Sequence, residues 1–147
     1  MTLVKVVITV NKNNLSNFSE KIPQIQQKGL NLTGQGMIRE LKRISPVDHG
    51  VLRSWFFASQ SQNEINIQTP AKYAKFVNDG TGIYGPHKTP IIHPTIGKKF
   101  AFQVNGQMVY TRVIRGQQGQ HFVEKSIEAT KQRIGEYFMI AIREVLG

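Results

Sequence analysis

The sequence predicts an α+β domain in which a long N-terminal helix and a C-terminal helix pack on one face of a mainly antiparallel sheet of about four to five strands, with a short extra helix and a long Pro/Gly loop. Three observations lead there. Apolar and small residues recur every three or four positions from residue 15 to 44, and again after His121, which is the helical period. Between these segments, short runs alternate apolar with polar residues, as half-buried strands do. Turn residues separate the runs, and Asn105-Gly106 is the strongest short hairpin signal among them. At 147 residues the chain suffices for one domain with a core, so residues 1–147 are read as a single domain.

The elements follow in order. Residues 4–10 alternate as a strand, and Asn13 or Asn14 then offers a helix N-cap. From Leu15, the positions Phe18, Ile22, Ile25, Gly29, Leu32, Gly36, Met37, Leu41 and Ile44 share one face of a long helix, with Lys28, Arg39, Lys42 and Arg43 opposite. Pro23 marks either its first turn or a kink. Gly29, Gly34 and Gly36 weaken the helix but open a place for another backbone to approach. Ser45-Pro46 ends it, because a residue before proline is pushed out of the helical region.

Asp48 and Gly50 are turn residues, and Asp48, Gly50 and Arg53 together are expected to form a structural turn, with Arg53 as partner of Asp48. Residues 52–59 then form a strand carrying Trp55, Phe56 and Phe57. Three consecutive rings cannot all face one side of a strand, so at least one meets either a second covered face or another subunit. Ile65, Ile67 and Thr69 form the next strand, with SQSQNE as the hairpin loop before it. A short helix over 72–78 places Tyr73, Phe76 and Val77 on one side.

Residues 79–94 hold three glycines and three prolines, too many breakers for a helix or a central strand. A loop this long inside a compact domain is usually functional or mobile. Strands over 99–104 and 108–114 form a hairpin, RGQQGQ is a second loop, and the final helix buries Val123, Ile127, Ile134, Phe138, Ala141, Ile142 and Val145.

Composition narrows the function. There is no cysteine, which excludes disulfides and thiolate metal sites and suits a reducing compartment. No run reaches the ~18 apolar residues of a membrane span, and MTLVKVVITV reads as a strand and not a signal peptide. The net charge is +10. Between Ile65 and Val123, the basic residues Lys72, Lys75, Lys88, Lys98, Lys99, Arg112 and Arg115 are opposed only by Asp79. Such a field favours nucleic acid or an acidic protein surface as a neighbour, and the plainer alternative is solubility alone.

Catalytic patterns are not found. His49, His87, His93 and His121 show no metal-ligand spacing. Asp48 beside His49 invites an acid–base reading, but an aspartate in a Pro-x-Asp-x-Gly turn more often accepts backbone hydrogen bonds. DGTG and GIYG lack the spacing of a phosphate-binding loop, and no nucleophile elbow is present. No catalytic, cofactor-binding or metal-binding residue is therefore expected.

Three short motifs and one longer stretch resemble a family. SPVDHGVLRSW, residues 45–55, is similar to the Ser/Thr-Pro-Val-Asp-Thr-Gly-x-Leu-Arg-x-Ser signature of a tail-component family of long-tailed bacteriophages, the minor capsid, neck, head-tail joining or tail completion proteins. Residues 73–82, YAKFVNDGTG, resemble its Tyr-Ala-x-Tyr/Phe-Val-Glu-x-Gly-Thr segment, and GQHFV, 119–123, resembles its Pro-x-Pro-Phe-Leu segment before the last helix. The stretch HPTIGKKFAFQVNGQMVY is similar to the family's hairpin. The resemblance runs in order from about Ile38 to the C-terminus, with His49, Asn78 and His121 departing from the pattern.

The resemblance implies a structural protein of the virion neck, assembled in the host cytoplasm. It implies a homo-oligomeric ring, a hexamer with a dodecamer as the alternative, between the head connector or adaptor and the tail terminator or tail tube. Genomic DNA passes through the channel, and no membrane is involved. On this reading Trp55, Phe76, Asp79, Gly80, Thr81, Tyr84 and Pro90 are interface positions. Lys98, Lys99, Arg112 and Arg115 face DNA or an acidic partner. The alternatives are a stand-alone basic nucleic-acid-binding protein and a small hydrolase using Asp48 and His49.

Overall fold

The computed structural model describes residues 3–9, 19–47, 50–88, 97 and 99–147. It has the α+β class that the sequence predicts, with four helices and antiparallel strands among the described residues. The described chain clusters into two compact units, residues 1–74 with 122–147, and residues 75–121. The strands divide in the same way, three in the first unit and two in the second, where one sheet of four to five was expected.

In the first unit, strands β1 (Leu3–Val7), β2 (Phe56–Gln60) and β3 (Glu64–Gln68) form an antiparallel sheet in the order β1-β3-β2. β3 is central, and its Ile65 and Ile67 are fully buried. The alternation along β3 reflects this: Glu64, Asn66 and Gln68 are only partly covered. β2 pairs with β3 through an irregularity between Phe57 and Ser59, where an extra residue shifts the register.

Helix α1 (Ile22–Ile44) lies between this sheet and the two C-terminal helices. Pro23 sits in its first turn, where the missing amide costs nothing. The expected caps Asn13 and Asn14, and the expected helical positions Leu15 and Phe18, lie outside the described residues. The glycines of α1 receive rings, not a backbone. A side chain at Gly29 would collide with Phe138 and one at Gly36 with Tyr137, while one at Gly34 would press on Phe57 and Ile65. Small residues are therefore used here to seat large aromatic side chains.

The C-terminal helix is interrupted. α3 (Phe122–Lys131) and α4 (Ile134–Leu146) are separated by Gln132 and Arg133. Arg133 takes φ −108° and ψ 0°, off the helical values, with Gly135 just beyond. Both helices take their main contacts from α1, and Thr130 Oγ1 reaches Met37 Sδ at 3.4 Å. Lys28 and Glu144 form an ion pair between α1 and α4.

The hairpin loop between β2 and β3 is tied to the start of α1. Gln62 Nε2 donates to the carbonyl of Pro23 at 2.9 Å, and Gln26 Nε2 donates to Asn63 Oδ1 at 2.6 Å. The expected strand from Leu52 instead begins with a 3-10 turn, Val51–Arg53, after Gly50 at φ +77°. That turn drives Leu52 into the core, and β2 starts only at Phe56.

The second unit contains most of α2 (Ala74–Asp79), a 3-10 turn at Gly82–Tyr84, and the hairpin of β4 (Phe100–Val104) and β5 (Gln107–Thr111). Asn105 at φ +50° and Gly106 at φ +82° make the two-residue hairpin turn that this dipeptide favours.

Candidate functional site

Three places gather the residues singled out in the sequence. The first is the joint after α1. Ser45 is buried, and two donors converge on it: Arg53 Nε on its carbonyl at 3.0 Å, and Trp55 Nε1 on its Oγ at 3.2 Å. Its own amide donates to Leu41 O at 2.9 Å, which closes the helix. Ser45 is thus the hub of the turn, a role that its reading as a helix stop did not reveal. Asp48, the expected partner of Arg53, lies outside the described residues, as does His49. Gly50 supplies the left-handed backbone that L residues rarely adopt.

Trp55 was expected at an interface, but its ring belongs to the core. It is 3% exposed and meets Phe122 edge-on, with centroids 6.2 Å apart. Its N–H requires a buried acceptor, and Ser45 provides one. Of the three consecutive rings, Phe56 is the one turned outward, at 44% exposure.

The second place is a seam between two loops. Thr81 N donates to Gln117 O and Ile83 N to Arg115 O, both at 2.9 Å, and Gln117 N returns to Thr81 Oγ1 at 2.9 Å. Gln120 N donates to Val77 O at 2.9 Å and His121 N to Asn78 O at 3.0 Å. Backbones come so close here that a Cβ at Gly82 would strike Arg115 O, and one at Gly116 would strike Thr81 O. The glycines of DGTG and RGQQGQ therefore have one shared purpose, visible only once the loops are paired.

Beside the seam lies an open cavity of about 420 Å³. It brings together Phe76, Asp79, Gly80 and Thr81 from the expected interface set, and adds Lys75 and His87. Phe76 is 61% exposed. Asp79 accepts a hydrogen bond from Asn78 Nδ2 at 2.7 Å. Tyr84 is exposed but does not line the cavity, and Pro90 lies outside the described residues. Its lining thus combines a lysine, an imidazole, a carboxylate and an exposed ring with three glycines.

The third place is the β4–β5 hairpin. Phe100, Phe102 and Val104 share one face with Thr111, Val109 and Gln107, while Ala101 and Gln103 share the other with Tyr110 and Met108. Residues 101–110 are all exposed, including Phe102, Val104, Met108, Val109 and Tyr110. The pairing of Phe100 with Thr111 puts the neighbouring Lys99 and Arg112, both exposed, at the same open end of the ribbon. Arg115 is exposed at the seam, and Lys98 lies outside the described residues.

Among the described residues, no cluster of three or more histidine, aspartate or glutamate side chains is placed to hold a metal ion. No described helix is long and apolar enough to cross a membrane. No protein-family model matches this chain, and neither a curated protein nor a solved structure matches it.

Proposed function

We propose that this chain is a structural protein of the head-tail interface of a tailed phage. It acts by assembly and not by catalysis, as one subunit of a ring, most simply a hexamer, that joins the head connector to the tail and surrounds the DNA path. The observation that supports this most is the β4–β5 hairpin, a ribbon with exposed apolar side chains on both faces and basic residues at its open end. A lone two-stranded ribbon is marginal in water, so apolar residues displayed this way favour burial against a neighbour. No carboxylate occurs from Gly80 to Gln120, which suits phosphate or an acidic protein beside it.

The three stretches that carry the family resemblance support the same reading. Each makes a joint of the chain: the Ser45 hub, and the two sides of the glycine seam. The cavity by Phe76 offers a second contact surface.

Electron microscopy of the intact particle tests the proposal, and density for this chain anywhere but the neck would overturn it. The second reading is a free nucleic-acid-binding protein, favoured by Lys99, Arg112 and Arg115. A monomer that binds duplex DNA tightly, with affinity falling steeply as salt rises, supports that reading instead.

A further inference from the structure

Helices α3 and α4 run in succession along α1 but turn different chemistry outward. α3 exposes Glu124, Lys125, Glu128 and Lys131. α4 buries Tyr137 and Ala141 and exposes Met139, Ile140 and Leu146 on its far side, Met139 at 50%. Two charges share that outward face, Glu136 and Arg143. They are seven residues apart, two helical turns or about 10.5 Å along the axis, and Met139-Ile140 is the midpoint between them.

Such a face is its own complement when reversed. In an antiparallel pair of α4 helices centred between Met139 and Ile140, Glu136 of each copy meets Arg143 of the other, at both ends. Met139 and Ile140 then meet across the two-fold axis. Gly135 weakens the start of α4, and the space that its Cβ would occupy is open, which permits close approach of a second helix. Glu136 also lies 3.2 Å from Arg133, the residue just before its own helix, an exposed pair that contributes little by itself.

We infer that the outward face of α4 is a two-fold contact occupied by α4 of a second copy of this chain, antiparallel to the first. The contact is isologous, whereas the subunits of a ring meet head to tail. It therefore pairs subunits independently of any ring and does not rest on the neck assignment. One helix face per copy is small beside the ~1,200 Å² of a stable interface, so the dissociation constant falls on the order of micromolar.

Charge reversal tests this directly. Glu136→Arg gives a copy with two arginines on the face, and Arg143→Glu a copy with two glutamates. Each alone sets like charges against each other at both ends, and its dimerisation in sedimentation equilibrium weakens by about tenfold or more. An equimolar mixture of the two regains the dimer, because every crossing is again of opposite charge. Met139→Ser leaves all charges in place and also weakens the dimer, so the test survives if a reversed helix folds poorly, which circular dichroism reveals. A wild-type chain that stays monomeric through the micromolar range overturns the inference. So does a mixture that pairs no better than its components, or single variants that pair as well as the wild type.

Discussion

Replacing Ser45 with alanine removes one oxygen atom from the joint after α1 and leaves its main-chain bonds intact. The amide still donates to Leu41 O, and the carbonyl still accepts from Arg53 Nε. What is lost is the acceptor of the Trp55 indole N–H at 3.2 Å. A neutral hydrogen bond contributes about 0.5–1.5 kcal/mol net, but a buried donor left without a partner costs about 1–3 kcal/mol. Ser45 and Trp55 are both nearly inaccessible to water, so the second case applies and a loss of about 2 kcal/mol is expected. Trp55 is the only tryptophan in the chain, so its fluorescence follows unfolding of this joint in denaturant. Trp55→Phe removes the donor together with part of the edge-on contact to Phe122. In the double variant no N–H is orphaned, so its cost falls short of the sum of the single costs by about 1 kcal/mol. Circular dichroism follows the variants without tryptophan. A Ser45→Ala protein within about 0.5 kcal/mol of wild type, or a cycle that is strictly additive, would refute the reasoning by showing that the indole finds another acceptor.

Three further perturbations have definite outcomes. Gly116→Ala, at φ +102° with its Cβ directed onto the Thr81 carbonyl, costs more than about 2 kcal/mol, and the Thr81 and Ile83 amides lose hydrogen-exchange protection. Gly36→Ala gains about 1 kcal/mol of helix propensity but drives into the buried Tyr137 ring, and overpacking of about 1–3 kcal/mol wins. Its melting temperature therefore falls, and a rise would mean that the ring swings clear. The hydrogen bond from Asn66, and then the one from Lys5, holds the partly covered Glu64 carboxyl below its ordinary value. The stabilisation that this brings is present above the unfolded-state value and is lost as pH falls through the lowered folded one. Glu64→Gln is therefore slightly less stable than wild type at neutral pH. Denaturant midpoints taken against pH show the gap closing in acid, and a gap that persists at low pH contradicts the assignment.

Much of the architecture was legible because it follows from periodicity. The period of α1 up to Ile44, though not its start at Ile22, the Ile65/Ile67 alternation and the Asn105-Gly106 turn are local signals, and local physics set them. The break at Gln132 and Arg133 was not legible, since no proline marks it and the apolar period continues across it. Nor was the division of the strands into two sheets, because alternation specifies a covered face but not which strand covers it. At the sites, the same limit applied. The sequence marks Gly80, Gly82, Gly116 and Gly119 as breakers, yet their shared reason is a crossing between loops far apart in the chain. Three rings in succession left Trp55 open to either a covered face or a partner. Packing against Phe122 holds it inward, and the Ser45 acceptor ten residues upstream satisfies its N–H.

The seam has a consequence for how this protein can change over generations. The chain enters the second unit at Lys75 and leaves it at His121, and the bonds from Gln120 N to Val77 O and from His121 N to Asn78 O hold the two ends side by side. The excursion between them therefore has its two ends pinned to each other within the second unit. Closure entropy grows by only about 0.6 kcal/mol for each doubling of the chain between two pinned ends, so the excursion can lengthen or shorten while these end bonds hold. Phe122, the first residue beyond it, is buried in the core of the first unit and starts α3. Insertions and exchanges in the hairpin region leave these end bonds in place, and the surface offered to a partner can diversify faster than the fold that carries it.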